Sequence, residues 1–251
     1  MKAMIFAAGL GTRLKPLTDT MPKALVPLAG KPLLQWQVEK LCDAGITDII
    51  VNVHHFPDQI IEAVRANAGW GCNIVISDER DALLDTGGGL RKAVESGKWK
   101  VEGEPILACN VDILSNIDIR SLVARYEQTG VSQLVVSERA TQRYLCFDEH
   151  DQLCGWTNIA TGEIKGTDGR HLAFSGMQIL NEEVLRRLDT MEEEKFSLIP
   201  FYLRIMNDVP LQAYVPADYR MMDVGKIDEI KKAEQFAALL VSPEGLEPST
   251  H

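Results

Sequence analysis

Residues 2–8 form a short apolar run halted by Gly9 and Gly11, the pattern of a buried strand running into a turn. A loop punctuated by Pro16, Pro22, Pro27 and Pro32 follows, and Pro32 suits the first turn of a helix, where its missing N–H would have no partner anyway. Apolar positions at 33, 34, 38 and 41 predict a helix over 33–44, with Gly45 at the C-cap. Residues 46–53 (ITDIIVNV) read as a β-branched strand, 57–68 as a second helix and 73–77 as a third strand. Strand, helix, strand, helix, strand predicts a parallel sheet with right-handed crossovers.

Further along, a Gly-rich turn at 87–89 is expected to precede a helix over 90–96, followed by a strand at 105–110 and a helix at 117–128. From about Val131 the texture changes to short strands, QLVVSE, YLCFDE and HLAFSGMQIL. Helix returns at 182–188, near 198–206, and over 227–240. The polar tail SPEGLEPSTH, with two prolines, is expected to be disordered. The fold class expected is a single Rossmann-like α/β domain over residues 1–240, a mostly parallel mixed sheet flanked by helices. Its first part runs to about 130, an antiparallel-rich part covers about 131–225, and a helix closes it over 226–240.

Composition narrows the class. The 251 residues are 45% hydrophobic and 25% charged, ordinary for a globular chain. No apolar run reaches the roughly 18 residues that span a bilayer. Arg13, Lys15 and Pro16 stand where the apolar core of a secretory signal would continue. Five scattered cysteines without a CxxC pair argue against a disulfide framework or a structural zinc site, and for a cytoplasmic protein with reduced thiols. A net charge of −10 argues against nucleic acid as partner. Its distribution is uneven: residues 1–31 hold five cations and one acid, a net +4, on a body that carries −14. A basic, Gly-rich segment on an acidic body suggests a local site for a small polyanion.

Three readings compete for Ala7-Ala8-Gly9-Leu10-Gly11-Thr12-Arg13. A dinucleotide fingerprint needs a third glycine where Leu14 stands, and an acid where the second strand ends in His54 and His55. A P-loop needs Gly-Lys-Ser/Thr, which is absent. The third reading is a tight turn without chemistry. Arg13, Lys15 and Lys23 add donors that suit a triphosphate: a planar fork and movable point charges beside a loop whose N–H groups can cradle phosphate oxygens.

The stretch AAGLGTRLKPLTDTMPKALVPLAGKPLL resembles the signature of the sugar-1-phosphate nucleotidylyltransferases. The resemblance continues through Thr86-Gly87-Gly88-Gly89, Asn110-Val111-Asp112, Phe174-Ser175-Gly176 and Asp223-Val224-Gly225, covering residues 1 to about 240. Within the family, LLDTGGGL with N-x-D and FSG resembles the N-acetylmuramate 1-phosphate uridylyltransferase branch of peptidoglycan recycling. The branches that use GTP with mannose or heptose 1-phosphate are close relatives.

The resemblance implies Mg²⁺-dependent attack of a sugar 1-phosphate on the α-phosphorus of a nucleoside triphosphate, expelling pyrophosphate. It implies Arg13, Lys23 and Asp112 as catalytic residues, with Arg13 on the β/γ-phosphates and Lys23 on the α-phosphate. Ala7, Ala8, Gly9, Gly11 and Thr12 would complete the nucleotide loop, and Asp112 and Asp223 would hold Mg²⁺. The first part then binds nucleotide and the second binds sugar. For either Asp the bland alternative is a helix cap or turn. Gly87 and Gly88, opening a helix, could let a base edge reach the backbone. Glu79 could accept a hydrogen bond from the base or be a solvated loop residue. Asn110 points the same way as Asp112 on a strand and suits the sugar or ribose. Gly176 would lie against the sugar, or mark a strand bulge.

The chain departs from the family in one respect. The Glu-Lys-Pro whose Lys binds the sugar phosphate is missing; Trp156-Thr157-Asn158 falls near its place, with Asn158 a sugar-side candidate, and Lys165 is displaced. The sugar-phosphate ligand is thus unassigned. Glu192-Glu193-Glu194 reads as a solvated helix face, and the His residues as structural or surface groups. A catalytically silent regulatory member would lose Arg13, Lys23 or the Asp pair, and all are present. Sugar, base and oligomeric state are not legible.

Overall fold

The computed structural model describes residues 1–95 and 103–241. Strand β1 (Lys2–Phe6) lies at its centre, and its alternate side chains enter two different cores: Ala3 and Ile5 one, Met4 and Phe6 the other. Burial on both faces explains why it reads as an unbroken apolar run. A ribbon of β2 (Pro27–Leu28) and β3 (Lys31–Pro32) leads into α1 (Leu33–Asp43), with Pro32 at the cap position, just ahead of the first turn. Gly45, at φ +86°, ends that helix as expected: its N–H reaches Cys42 O at 2.8 Å and Ile46 N–H reaches Leu41 O at 2.9 Å.

Then come β4 (Asp48–Val53), α2 (Pro57–Ala66), β5 (Asn73–Asp78), α3 (Asp85–Glu95) and β6 (Ile106–Asn110). β1 pairs in parallel with β4 and β6, and β4 with β5, which is the predicted crossover pattern. One expectation is corrected here. Gly87–Gly89 are not a turn before α3 but part of its first turns. Ser96, the expected end of that helix, and the tail after 241 lie outside the described residues.

Strand β7 (Ile113–Ser115) is followed by α4 (Ile119–Thr129), capped by Asp118, whose carboxylate accepts from Arg120 N–H at 3.0 Å. The second half supplies β8 (Ser132–Ser137), β9 (Arg143–Phe147), β10 (Leu153–Asn158), β11 (Glu163–Gly166) and β12 (Arg170–Leu180). It closes with α5 (Glu182–Arg187), α6 (Leu198–Ile205), β13 (Leu211–Tyr214), β14 (Met221–Asp223) and α7 (Ile230–Val241). The main sheet runs β11-β10-β9-β12-β6-β1-β4-β5, with β8 and β13 attached beside β12. The long β12 pairs antiparallel with both β6 and β9, so the parallel half and the antiparallel half share one sheet. Strand β10 is interrupted by Gly155, β11 is exposed, and β13 and β14 are four and three residues long, so none of them stands out in the sequence pattern. Glu192–Glu194 are exposed, as expected, but lie in the non-helical link between α5 and α6. Among the described residues no helix is long and apolar enough to cross a membrane.

Candidate active site

The carboxyl ends of β1, β4 and β6 open into a cavity of about 480 Å³, where ligand sites of α/β sheets lie. Ala7, Ala8, Gly9, Gly11, Thr12 and Arg13 line it. The loop is held in shape by its own side chains. Gly11 sits at φ +64°, and a Cβ there would lie 2.8 Å from Thr18 Cγ2 and 3.0 Å from Lys23 Cβ, so only glycine fits. Thr18 Oγ1 donates to Gly11 O at 2.8 Å, and fully buried Leu14 anchors the turn that follows.

A buried relay supports the loop from below. Ala7 N–H donates to Asn52 Oδ1 at 2.7 Å, and Asn52 Nδ2 donates to Glu79 Oε1 at 2.8 Å. Glu79 is only 1% exposed, and burial pushes its carboxyl above the usual range, with Asn52 and the Leu84 N–H acting against that shift. Both sequence readings of Glu79 are therefore corrected: it is neither a solvated loop residue nor open to a base, because its oxygens face Asn52 and Leu84. Asn52 itself was missed. Its signal was a polar residue inside the apolar strand IIVNV, which must find buried partners.

The cations of this segment meet two carboxylates beside the loop. Lys23 Nζ is ion-paired with Asp112, with both side chains largely buried. Arg13 Nη2 lies 4.0 Å from Asp223 Oδ2, both more exposed. The antiparallel β7–β14 pair sets Asp223 opposite Ile113, and Val224 N–H donates to Asp112 O at 2.9 Å, so the two Asp residues are neighbours in space. Partial burial, then the charge of Asp112, raises the Asp223 carboxyl, while Lys23 and Arg13 pull it down. Neither Asp caps a helix. Gly225 makes this junction possible: a Cβ there would lie 2.8 Å from Asp223 Oδ1 and 3.1 Å from Arg13 Nη2.

Asn110 lines the same cavity. Gly176 meets it, for a Cβ at Gly176 would lie 2.9 Å from Asn110 Nδ2. Gly176 is also a bulge residue, at φ +72° where the β12–β8 register shifts between Phe174 and Gln178, so the bulge and the close approach are one feature. Two other candidates are corrected. Asn158 is the last residue of β10 and does not line the cavity; its Oδ1 accepts from Ala160 N–H at 3.1 Å and its O from Gly162 N–H at 2.8 Å, closing the β10–β11 turn. The N–H groups of Gly87 and Gly88 are not available to a base: both donate to Phe196 O, at 2.8 and 3.2 Å. Asp85 and Thr86 line the cavity instead, together with Lys195, which sequence reasoning did not single out. Outside the cavity, His171 pairs with Asp168 at 2.6 Å and stacks on Tyr144.

A family model for nucleotidyl transferases matches residues 2–238. The chain is 43% identical over 241 residues to the N-acetylmuramate alpha-1-phosphate uridylyltransferase of Neisseria meningitidis serogroup B, covering 94% of this chain and 98% of that protein. It is 31% identical over 216 residues to the enzyme of the same name from Caulobacter vibrioides, covering 82% and 84%. Among solved structures, a putative glucose-1-phosphate thymidylyltransferase from Bacillus anthracis superposes with TM-score 0.80 over 94% of this chain and 95% of that one. At 17% sequence identity that likeness speaks for the fold alone.

Proposed function

The chain belongs to the nucleotidyl transferase family, as a sugar-1-phosphate nucleotidyltransferase, and we propose that it joins UTP to N-acetylmuramate 1-phosphate, releasing pyrophosphate. The observation that carries this reading is that the glycine loop, Arg13, Lys23 and Asp112 line one cavity, with Asp223 4.0 Å from Arg13. The similarity to the Neisseria enzyme supports the choice of uridylyl donor and sugar.

The attacking group is already an anion, so no protein base is needed; the task is to bring two anions together in line. Arg13 suits the outer phosphates because its fork is exposed at the cavity wall. Lys23 suits the α-phosphate, where charge builds, and its ion pair with Asp112 ties its position to the carboxylate pair. The N–H groups of the loop supply further fixed donors, kept in register by the Asn52–Glu79 relay.

The two carboxylates fit Mg²⁺. They are hard oxygen donors, and Asp223, raised by burial and then by the charge of Asp112, would be eased by a cation held there. When bound, Mg²⁺ supplies charge neutralisation and a fixed template for phosphate oxygens.

The test is pyrophosphate release with Mg²⁺, crossing UTP, GTP, CTP and dTTP with N-acetylmuramate, mannose, glucose and N-acetylglucosamine 1-phosphates. Highest kcat/KM with UTP and N-acetylmuramate 1-phosphate is expected. Preference for GTP with mannose 1-phosphate would replace the substrate assignment, and nucleotide binding without turnover on any sugar would point to a regulatory role.

A further inference from the structure

Strands β9 and β12 run antiparallel with Cys146 directly opposite His171, so their side chains share one face of the sheet. On its other side Cys146 stands opposite Gly155 of β10. A Cβ on Gly155 would lie 2.3 Å from Thr167 O, so the bare glycine lets the link between β11 and β12 fold back over that face. Gly169 presses equally close, for its Cβ would lie 2.4 Å from Phe147 O. The link thereby sets Asp168 beside the other two. Its Oδ1 lies 3.8 Å from Cys146 Sγ and 2.6 Å from His171 Nε2, and the three ligand atoms all lie within 4.8 Å of one another. Tyr144 stacks on the His171 ring with centroids 5.7 Å apart, and its hydroxyl accepts from Thr141 N–H at 2.9 Å, which steadies the pair. Cys146 is buried at the floor of the group, while Asp168 and His171 are exposed and leave an entry path. None of the three lines the cavity of the glycine loop.

We propose that Cys146, Asp168 and His171 form a second cation site, for Zn²⁺, which fastens the β11–β12 link to β9 and β12. The donor set points to that ion. A sulfur, an imidazole nitrogen and a carboxylate oxygen suit zinc, whereas Mg²⁺ takes oxygen donors of the kind offered by Asp112 and Asp223. Zinc bonds of about 2.0–2.3 Å in a tetrahedron put neighbouring ligand atoms about 3.4–3.6 Å apart. The spacings of 3.8 and 2.6 Å reach that arrangement with shifts of about 1 Å. Three protein ligands leave the fourth position to water. His171 binds through Nε2 as the neutral ring, in place of its bond to Asp168. Burial, then the charge of Asp168, pushes the Cys146 thiol up to about 11, so the cation displaces its proton to solvent on binding. The lack of a CxxC pair argues against zinc only for ligands that are neighbours in sequence; Cys146 and Asp168 stand 22 residues apart and meet through the sheet.

The test is calorimetric titration of the full chain with Zn²⁺ in excess Mg²⁺, under a reductant that carries no thiol, with Co²⁺ as a coloured stand-in for absorption spectra. One Zn²⁺ per chain and a sulfur-to-cobalt charge-transfer band are expected. His171→Ala and Asp168→Asn should each weaken Zn²⁺ binding by about 10-fold or more, and Cys146→Ser should lose the band. Because His171 and Asp168 are exposed, their variants decide the matter even if Cys146→Ser fails to fold. No Zn²⁺ binding in excess Mg²⁺, or equal affinity in wild type, His171→Ala and Asp168→Asn, overturns the site and leaves the His171–Asp168 contact an ion pair only.

Discussion

Gly88→Ala sets two physical rules against each other. Helix propensity alone says that alanine in the first turn of α3 should stabilise the protein by about 1 kcal/mol. The structure says the opposite. The new Cβ would lie 2.2 Å from Glu194 O and 3.1 Å from the Leu84 Cβ, where a carbon and a carbonyl oxygen normally keep about 3.3 Å or more. The strap formed by residues 194–198 must therefore retreat by about 1 Å, which breaks the two N–H bonds to Phe196 O, at about 1 kcal/mol each. Strain from overpacking adds about 1–3 kcal/mol. Net of propensity, the variant should be destabilised by about 2–4 kcal/mol, or roughly 4–16 °C in Tm for a chain of this size. Thermal melts followed by circular dichroism, with urea midpoints as a cross-check, measure this directly. A variant as stable as wild type, or more so, would refute the claim that these glycines make room for the 194–198 strap.

Further perturbations test the site itself. Asp112→Asn preserves volume and an acceptor for Lys23, so the fold should survive while Mg²⁺-dependent turnover falls by about 10³-fold or more; wild-type turnover would remove Asp112 from the site. Lys23→Ala should weaken binding of a non-hydrolysable UTP analogue in calorimetry, and an unchanged Kd would exclude Lys23 from the phosphates. Gly225→Ala should push Arg13 and Asp223 apart and lower kcat/KM with little change in Tm, because its obstacles are side-chain ends at 2.8 and 3.1 Å; an unaltered kcat/KM would deny that junction a role. Glu79→Gln tests the relay by pH. Burial raises the Glu79 carboxyl above its unfolded value, so the folded state holds the proton longer. Its stabilising effect is complete below the unfolded pKa and is lost as pH rises through the folded one. The stability of Glu79→Gln relative to wild type should therefore increase across that window, and a pH-independent difference would contradict a buried, ionising Glu79.

The parallel core was legible because its signals are local. β1 is an apolar run stopped by glycine, and α1 is an apolar stripe stopped by Gly45 at φ +86°; each depends on residues within a turn or two. The glycine loop and its cations were legible for the same reason, since Gly11, Arg13 and Lys23 lie in one short stretch next to a strand end. Tertiary structure alone decided which polar groups serve the site and which hold it together. Asn52 finds Ala7 across 45 residues and Glu79 across 27, and Ser197 finds Asp85 across 112. Burial and hydrogen bonding at such separations depend on how the sheet brings strand ends together, which no local spacing encodes. So it was the assembled fold that turned Glu79 from a loop acid into a buried support and Asn158 from a sugar candidate into the strand end that closes the β10–β11 turn. By the same assembly Gly87–Gly89 pass from a turn to a helix start, and Lys195 reaches the cavity.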